Sequence, residues 1–382
     1  MLLSSSSPVV IRPVQCRADM KQFIELPWSI YRDDPCWAPP LKSSLAKLLN
    51  IKKHPFWQFA QRELFLAKRD KITVGRIAAI VDTNLNTYHD EKICVWGFFE
   101  CINDQEVATQ LFDAVEAWAC KKGMTRLRGP LNPSTNYEIG ILIKGFKRDP
   151  ALMMTYNPSY YPEIIYRAGL RKEKDILSYR LTREFTLPEW VDPIAENILK
   201  KNNITIHCPE KWTRENIRLL NNIYKDCWAD NWGFVPMTNE EEDEMAKELL
   251  FLIEPRLAFF IYCGDEPAGI GLMLPDFNPL LKRFNGSLGL MALVKKYLYM
   301  SEVTGLRGLL FGVKQKFRLM GLHLIAMQYA MSVLKTMEQY NYVEMGWTLE
   351  DNDAINNLFQ ESGLAPDKRY RIYTKPCKSP HL

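Results

Sequence analysis

The sequence lacks the features that mark several classes of protein. Its nine cysteines are scattered without a Cys-x-x-Cys pair and are odd in number, so we expect reduced, intracellular thiols. Five widely separated histidines give no metal-ligand spacing, and no metal site is predicted. No apolar run reaches the roughly 18 residues of a spanning helix. The start, MLLSSSSPVV, lacks the basic region of a signal peptide. These absences predict a cytoplasmic protein.

The sequence also has no large excess of positive or negative residues. The net charge is +4, from 49 Lys and Arg against 45 Asp and Glu. Since no basic run with interleaved aromatic residues occurs, a nucleic-acid partner is not expected. A chain of 382 residues, 47% of them hydrophobic, is long enough for two globular domains.

The most informative stretch is Arg307–Leu324, RGLLFGVKQKFRLMGLHL. Leu309–Val313 has the apolar character of a buried strand, and a basic turn, 314–321, separates it from a helix that begins near Leu322. The first N–H groups of a helix have no partner within it and bind anions. Lysine and arginine side chains in the turn add positive charge. The stretch therefore predicts a pyrophosphate-binding turn.

The segments that follow form a recognisable order. Tyr342–Leu349 is a predicted strand, Glu350-Asp351-Asn352 leads into a helix that Gly363 ends, and Tyr370–Lys375 is a last strand. This order resembles the C-terminal half of the GNAT acyltransferase superfamily. The acyl-CoA motif of that family is Gln/Arg-x-x-Gly-x-Gly/Ala. Arg318 and Gly321 match its first two positions, and His323 replaces the third.

The resemblance implies acetyl-CoA or a longer acyl-CoA as co-substrate, bound without a metal. His323 either crowds the pyrophosphate or donates a hydrogen bond to it. The residues that the resemblance assigns to the cofactor are Gly312, Val313, Lys314, Lys316, Phe317, Arg318, Gly321, Leu322, His323 and Asn352.

The first half of the chain repeats the second in outline. Gly169-Leu170 precedes Tyr179 at the same spacing at which Gly363-Leu364 precedes Tyr373. We therefore expect an α/β fold of two tandem GNAT-like domains, 1–185 and 186–382. Each would be a mixed, mostly antiparallel twisted sheet flanked by helices. The first has no Arg-x-x-Gly turn but the acidic stretch Cys101–Glu106, which would repel a pyrophosphate, so CoA is assigned to the second.

Acyl transfer to an amine requires a base for the amine and an acid for the departing thiolate. Since Arg307–Val313 contains no carboxylate, Glu344 and Glu350 are the candidate bases, and Tyr373 is the candidate acid. Each has a plainer interpretation. Glu344 would be a solvent-facing strand residue, Glu350 a helix-start residue favoured by the dipole, and Tyr373 a packing residue. Asn352 similarly fits a helix cap.

Two further segments bear on the acceptor. The turn with Asn231, Trp232 and Phe234 corresponds to the region that walls the acceptor site in GNAT relatives; the alternative is a packed Ω-loop. An insertion, Asp276–Gly305, contains the apolar run Leu288–Val294 with Lys295 and Lys296 beside it. It fits a helix packed on its own domain, a lid over a long acyl chain, or a peripheral membrane contact through 288–299.

The segments N-W-G-F-V-P and W-T-L-E-D-N extend the resemblance to a bacterial subgroup that includes ceramide synthase-like acyltransferases. The implied function is N-acyl transfer from acyl-CoA to a primary amine, in its sharper form a long-chain, sphingoid-type amine. Transfer of acetyl to a small amine or peptide is the enzymatic alternative, and a non-catalytic CoA- or lipid-binding protein is the other. Contact with such a lipid would place the cytoplasmic protein at the inner membrane.

Overall fold

The computed structural model describes residues 7–201, 203–289 and 291–378. The chain forms two compact units. The first contains residues up to Ile176 together with 284–290 and 368–382, and the second contains Leu177–Arg283 and Met291–Asp367. The sequence prediction placed the boundary between residues 185 and 186. In the structure the division between the two units falls between Ile176 and Leu177, within the strand Arg171–Thr182.

Both parts of the chain contain helices and strands. The first part contains β1 (Val9–Pro13), α1 (Arg17–Ile30), α2 (Lys42–Leu48), β2 (Ala60–Arg69), β3 (Ile72–Asp82), α3 (Thr83–His89), β4 (Ile93–Cys101), α4 (Gln105–Lys121), β5 (Arg126–Gly129), β6 (Leu131–Asn132), β7 (Glu138–Ile139), β8 (Ile141–Lys144), α5 (Tyr161–Arg167) and β9 (Arg171–Thr182). The second part contains α6 (Val191–Lys201), β10 (Ile204–His207), α7 (Arg214–Trp228), α8 (Asn239–Leu252), β11 (Ala258–Cys263), β12 (Glu266–Pro275), α9 (Asn278–Phe284), α10 (Ala292–Tyr299), β13 (Gly305–Val313), α11 (Leu322–Thr336), β14 (Tyr342–Leu349), α12 (Asp353–Glu361) and β15 (Lys368–Pro376).

The first unit is built on strands in the order β1-β2-β3-β4-β5-β15. Successive pairs from β1 to β4 are antiparallel, β4 and β5 are parallel, and β15 pairs antiparallel with both β5 and β8. Its core lies between the sheet and α4, where Trp96, Phe99 and Phe112 meet. Tyr373 of β15 packs in the same core.

The second unit repeats this pairing. Its strands follow the order β14-β13-β12-β11-β10, with β9 next to β14. Pairs from β10 to β13 are antiparallel, and β13 and β14 are parallel. Apolar residues of α11 pack on one face of this sheet, among them Ile325, Met327 and Met331. The expected fold, two tandem repeats with mixed, mostly antiparallel sheets, is therefore confirmed.

The insertion before β13 contains α9 and α10. None of the residues of α10, all of which the structure describes, is buried. The interpretation as a helix packed on its own core is therefore wrong for 292–299, because its apolar side chains point into solvent. Leu290, inside the predicted contact segment, lies outside the described residues. Among the described residues, no helix has the length and apolar character needed to span a membrane.

Candidate functional site

An opening between β13 and β14 lies at the centre of the second unit. The two strands pair from Gly305 with Tyr342 to Gly308 with Met345. Both then continue, to Val313 and Leu349, and these continuations are partly exposed whereas the paired residues before them are mostly buried. β13 stays paired with β12 as far as Val313, whereas on the β13 edge that faces β14 the pairing ends at Gly308. The end of this pairing defines a candidate cleft, and its use as the thioester site stays a prediction.

A bulge and a glycine shape one side of this cleft. The register between β12 and β13 shifts at Leu309, so that Leu272 faces Leu310 and Met273 faces Gly308. Gly312 then lies under the indole of Trp228, and a Cβ at position 312 would be 2.5 Å from that ring. Only glycine fits there without a shift of that ring.

The turn after β13 has the geometry of an anion site. Gln315–Met320 forms a 3₁₀ segment, and Gly321 follows with φ +73°, in the left-handed region. A Cβ on Gly321 would also meet Ile198 at 2.7 Å. Leu322 begins α11, so its first N–H groups lie directly after the turn. The side chains of Phe317 and Leu322 are buried, and the N–H of Phe317 donates to the carbonyl of Lys314 at 2.9 Å, which helps to fix the turn.

The cations of this turn have carboxylate neighbours. Lys316 Nζ lies 2.6 Å from Glu266 Oε2, and Lys314 Nζ lies 4.0 Å from Glu266 Oε1. The exposed Arg318 donates to the carbonyl of Cys227 at 2.8 Å. The turn therefore combines positive charge with a competing internal anion at the β11–β12 hairpin.

His323 is half-buried near the start of α11. Burial lowers the pKa of its imidazole below the usual value. At neutral pH the ring is therefore uncharged, and it meets a phosphate as a neutral hydrogen-bonding group.

Glu344 lies where the pairing of the two strands ends. It is 1% exposed, and Ser178 Oγ donates to its Oε1 at 3.1 Å. Its neighbours Val343 and Met345 pack toward α11, so strand alternation directs Glu344 to the opposite face, which carries α7. The plainer interpretation of Glu344 as a solvent-facing residue is wrong, because the side chain is enclosed.

The turn from β14 to α12 is held by Asn356. This buried side chain accepts from Tyr179 Oη and Thr348 Oγ1, each at 3.0 Å, and donates to the carbonyls of Leu349 and Glu350. Asn352 occupies the N-cap position of α12, but its side chain makes no capping hydrogen bond among the described residues. The side-chain amide of Asn352 is therefore not used as a helix cap.

The aromatic turn after α7 adjoins the end of β13. Phe234 is buried with its ring centre 5.7 Å from that of Tyr224, and Tyr224 also contacts Trp228 at 4.9 Å. Asn231 and Trp232 are partly exposed. Because Trp228 covers Gly312, the turn and the cleft belong to one local structure.

Tyr373 lies apart from these residues, in the core of the first unit. Burial raises its pKa to about 12, so the hydroxyl keeps its proton at neutral pH. Its role as a leaving-group acid stays a prediction.

The first unit closes the gap that the second leaves open. Its parallel pair ends at Val95 and Arg128, and the carbonyl oxygen of Leu131 then approaches Gly97 so closely that a Cβ there would be 2.0 Å away. At the start of α4, Asp104 accepts from the N–H groups of Glu106 and Val107 and pairs with Arg69 at 2.7 Å. A carboxylate of the protein occupies the helix end, which supports assigning CoA to the second unit.

Sequence reasoning missed several polar residues of β13 and β14 and their partners. Arg307 lies opposite Glu344 in the strand register and donates to its carbonyl at 3.4 Å. Tyr342 donates to Asp276 at 3.2 Å, with the Arg180 guanidinium 3.3 Å from its ring centre. One signal was available, because Arg307 interrupts an otherwise apolar strand. No group of residues suited to hold a metal ion occurs in the described part of the chain.

Comparison with known proteins gives relatives that match this chain along its length. The chain is 30% identical over 378 residues to Protein YghO of Escherichia coli, covering 96% of this chain and 95% of that protein. It is also 30% identical over 379 residues to the bacterial ceramide synthase of Caulobacter vibrioides, covering 97% and 98%. No family model matches.

Solved structures agree with the fold. A tandem GNAT protein from the clavulanic acid biosynthesis pathway is 11% identical with a TM-score of 0.54, covering 97% of this chain and 99% of that one. A GCN5-related N-acetyltransferase from Sphaerobacter thermophilus is 12% identical with a TM-score of 0.53, covering 98% of each. At such identities the likeness concerns the fold alone.

Proposed function

The chain belongs to the tandem GNAT acyltransferases, and from this premise we propose that it N-acylates a long-chain, sphingoid-type amine with acyl-CoA. The observation that carries acyl transfer is the opening between β13 and β14 directly before the Arg318-x-x-Gly321 turn. Support for the acceptor comes from the relative named bacterial ceramide synthase, which matches nearly the whole chain.

In this proposal the cofactor lies along the second unit. Its pyrophosphate binds the first N–H groups of α11, with Lys314, Lys316 and Arg318 around it. Its thioester enters the cleft, where the N–H groups of Gly312 and Val313 polarise the carbonyl. We assign Asn352, whose side chain makes no capping hydrogen bond to α12 among the described residues, to a hydrogen bond with the cofactor or the acceptor.

The amine nitrogen attacks the thioester carbon, so that a C–N bond forms as the C–S bond breaks. The nitrogen loses one proton, and the departing sulfur finally receives one. We assign Glu344 as the base that accepts the proton from the amine, directly or through water, because it lies beside the end of the strand pairing. Glu350 is the alternative base. The Ser178 hydrogen bond would hold the Glu344 carboxyl in place.

The acceptor side is formed by the turn with Asn231, Trp232 and Phe234. Its aromatic cluster with Trp228 suits an alkyl chain better than a charged peptide. A long-chain amine partitions into membranes, so the proposal includes a cytoplasmic protein that contacts the inner membrane through 288–299.

Calorimetry with CoA, acetyl-CoA and palmitoyl-CoA tests the cofactor site. We expect the long-chain thioester to bind most tightly and Arg318→Glu to weaken binding of all three. Arg318→Gln keeps a residue that the family motif accepts and should retain binding, as should Arg256→Glu, a reversal at an exposed arginine. Equal affinity for all three favours the short-chain enzyme, and no binding would contradict the proposed site.

Turnover tests the chemistry. With palmitoyl-CoA and a sphingoid base, Glu344→Gln should lower thiol release about 100-fold or more while CoA affinity stays unchanged. The Gln oxygen still accepts from Ser178, which separates lost chemistry from lost structure. Comparison with Glu350→Gln decides between the two bases. If wild type releases no thiol with long or short amines yet binds CoA, the protein is a non-catalytic binder.

A further inference from the structure

The outer face of α10 exposes large apolar side chains that a folded chain normally buries. Leu293 is 81% exposed and Tyr297 87%, and Val294 and Leu298 lie on the same side of the helix at i, i+4 spacing. Single exposed apolar residues are common, but a contiguous set on one helix marks a contact surface.

A second element extends this face. Phe251, near the end of α8, is 81% exposed, and Lys296 Nζ lies 5.6 Å from the centre of its ring. Lys296 belongs to the exposed side of α10 between Leu293 and Tyr297. The two helices therefore present one surface within the second unit, which we call the α8–α10 face: Phe251, Leu293, Val294, Lys296, Tyr297 and Leu298.

Positive charge flanks the α10 side of this face, whereas α8 carries the exposed Glu248 three residues before Phe251. Residues 278–301 contain Lys282, Arg283, Lys295 and Lys296 and no carboxylate. Glu302 pairs with Arg283 at 2.7 Å, and Lys295 is turned inward onto the Arg283 carbonyl at 2.9 Å. A lysine and a tyrosine among fully exposed apolar residues match the boundary between lipid headgroups and acyl chains.

We propose that the α8–α10 face docks on an anionic lipid bilayer, with Phe251, Leu293 and Tyr297 inserted at the headgroup level and Lys296 on the phosphates. The docking would give the enzyme access to an amine dissolved in the membrane. This purpose rests on the proposed function, whereas the docking itself does not. A second copy of the chain is a poorer fit, since a two-fold contact of this face would bring Lys296 of both copies into one apolar interface.

Vesicle co-sedimentation of the full chain tests the proposal. Wild type should bind vesicles of phosphatidylcholine with phosphatidylglycerol and bind poorly to phosphatidylcholine alone. Phe251→Ser/Leu293→Ser/Tyr297→Ser should lose about tenfold or more in vesicle affinity. Ile194→Ser, at another exposed apolar residue of the second unit, should change nothing. Lys296→Glu should lose affinity for the anionic vesicles, whereas Lys200→Glu, an exposed lysine of α6, should not.

Three results would overturn the docking. Unchanged vesicle binding in the triple variant is one. A wild-type dimer that the triple variant converts to a monomer, without an effect on vesicles, would assign the face to self-association. Weaker palmitoyl-CoA affinity with unchanged vesicle binding would make it a lid over the acyl chain.

Assays with a detergent-solubilised sphingoid base test the docking separately from the proposed catalytic function. The triple variant should acylate the solubilised amine at the wild-type rate and fail only with the amine in vesicles. If wild type binds vesicles but acylates neither form, the proposed function fails and the docking stands.

Discussion

At the scale of single residues, the anion-binding turn depends on positions that tolerate little change. Gly321 combines a left-handed backbone with the close approach of Ile198, so a side chain there meets both strain and a steric clash. His323, two residues later, replaces a small residue of the family motif. Because the ring is half-buried and its pKa is lowered, its effect on phosphate binding is steric and hydrogen-bonding rather than ionic.

His323 should make the fold less stable in acid. Its pKa is lower in the folded than in the unfolded chain, so the unfolded chain takes up the proton first as pH falls through the ordinary histidine range. Stability should therefore drop more in wild type than in His323→Gln between about pH 7.5 and about pH 5.5. Urea denaturation at several pH values measures this. Parallel curves for the two proteins would show that burial of His323 has no effect on proton binding.

At the scale of secondary-structure elements, the β11–β12 hairpin limits the cofactor turn. Glu266 occupies Lys316 and lies near Lys314, and Gln315 contacts carboxylates of Asp226 and Asp230 at 2.8 and 2.6 Å. These contacts order the turn before a ligand arrives. They also place negative charge where a pyrophosphate would bind.

Removing the Glu266 charge should strengthen CoA binding. Glu266→Gln frees Lys316 for the phosphates, and we expect a Kd for CoA about two- to fivefold lower at low salt. Added salt should reduce this gain, because the site is exposed. Glu196→Gln, which removes a similar exposed partner from Lys200, is the matched control in calorimetry. An unchanged or higher Kd in Glu266→Gln would show that its ordering of the turn matters more than its charge.

Local pattern predicted much of this region. β14 spans Tyr342–Leu349 as expected, and the turn, Gly321 and the start of α11 at Leu322 follow from residue type and spacing. The partners of those residues did not follow from the sequence. Glu266 meets Lys316, and Asn356 meets Tyr179, only through tertiary packing. The enclosure of Glu344 likewise depends on Ser178, far away in the chain.

At the scale of the whole molecule, the repeats are not independent in sequence. β15 comes from the C-terminal end of the chain and completes the first unit, where it pairs with β5 and β8. Its Tyr370, Ile372 and Tyr373 are buried. Arg371 also pairs with the fully buried Asp175 at 2.7 Å.

Truncation after Asp367 should unfold the first unit. Loss of β15 leaves β5 with β4 as its neighbour and removes the antiparallel partner of β8. It also removes Arg369 and Arg371 from the buried Asp175, which keeps Lys172, and weakening the pairing of a buried charge is destabilising. Hydrogen exchange should show lost amide protection in β5, β8 and α4, with protection retained in β11–β13. Truncation after Lys378 is the control and should behave as the full chain. Retained protection in β5 after the longer deletion would mean that the rest of the unit holds its fold alone.

The position of β15 in the sequence also determines when the first unit can complete its fold during synthesis. At about 5–20 residues per second, the ribosome needs roughly 10 to 40 s to make the chain between β9 and β15. Throughout that interval β5 of the nascent first repeat is an edge strand with one unpaired side, which can pair with strands of other chains. The completion of this repeat therefore awaits synthesis of β15, and chaperones that shield unpaired edges gain a defined period in which to act.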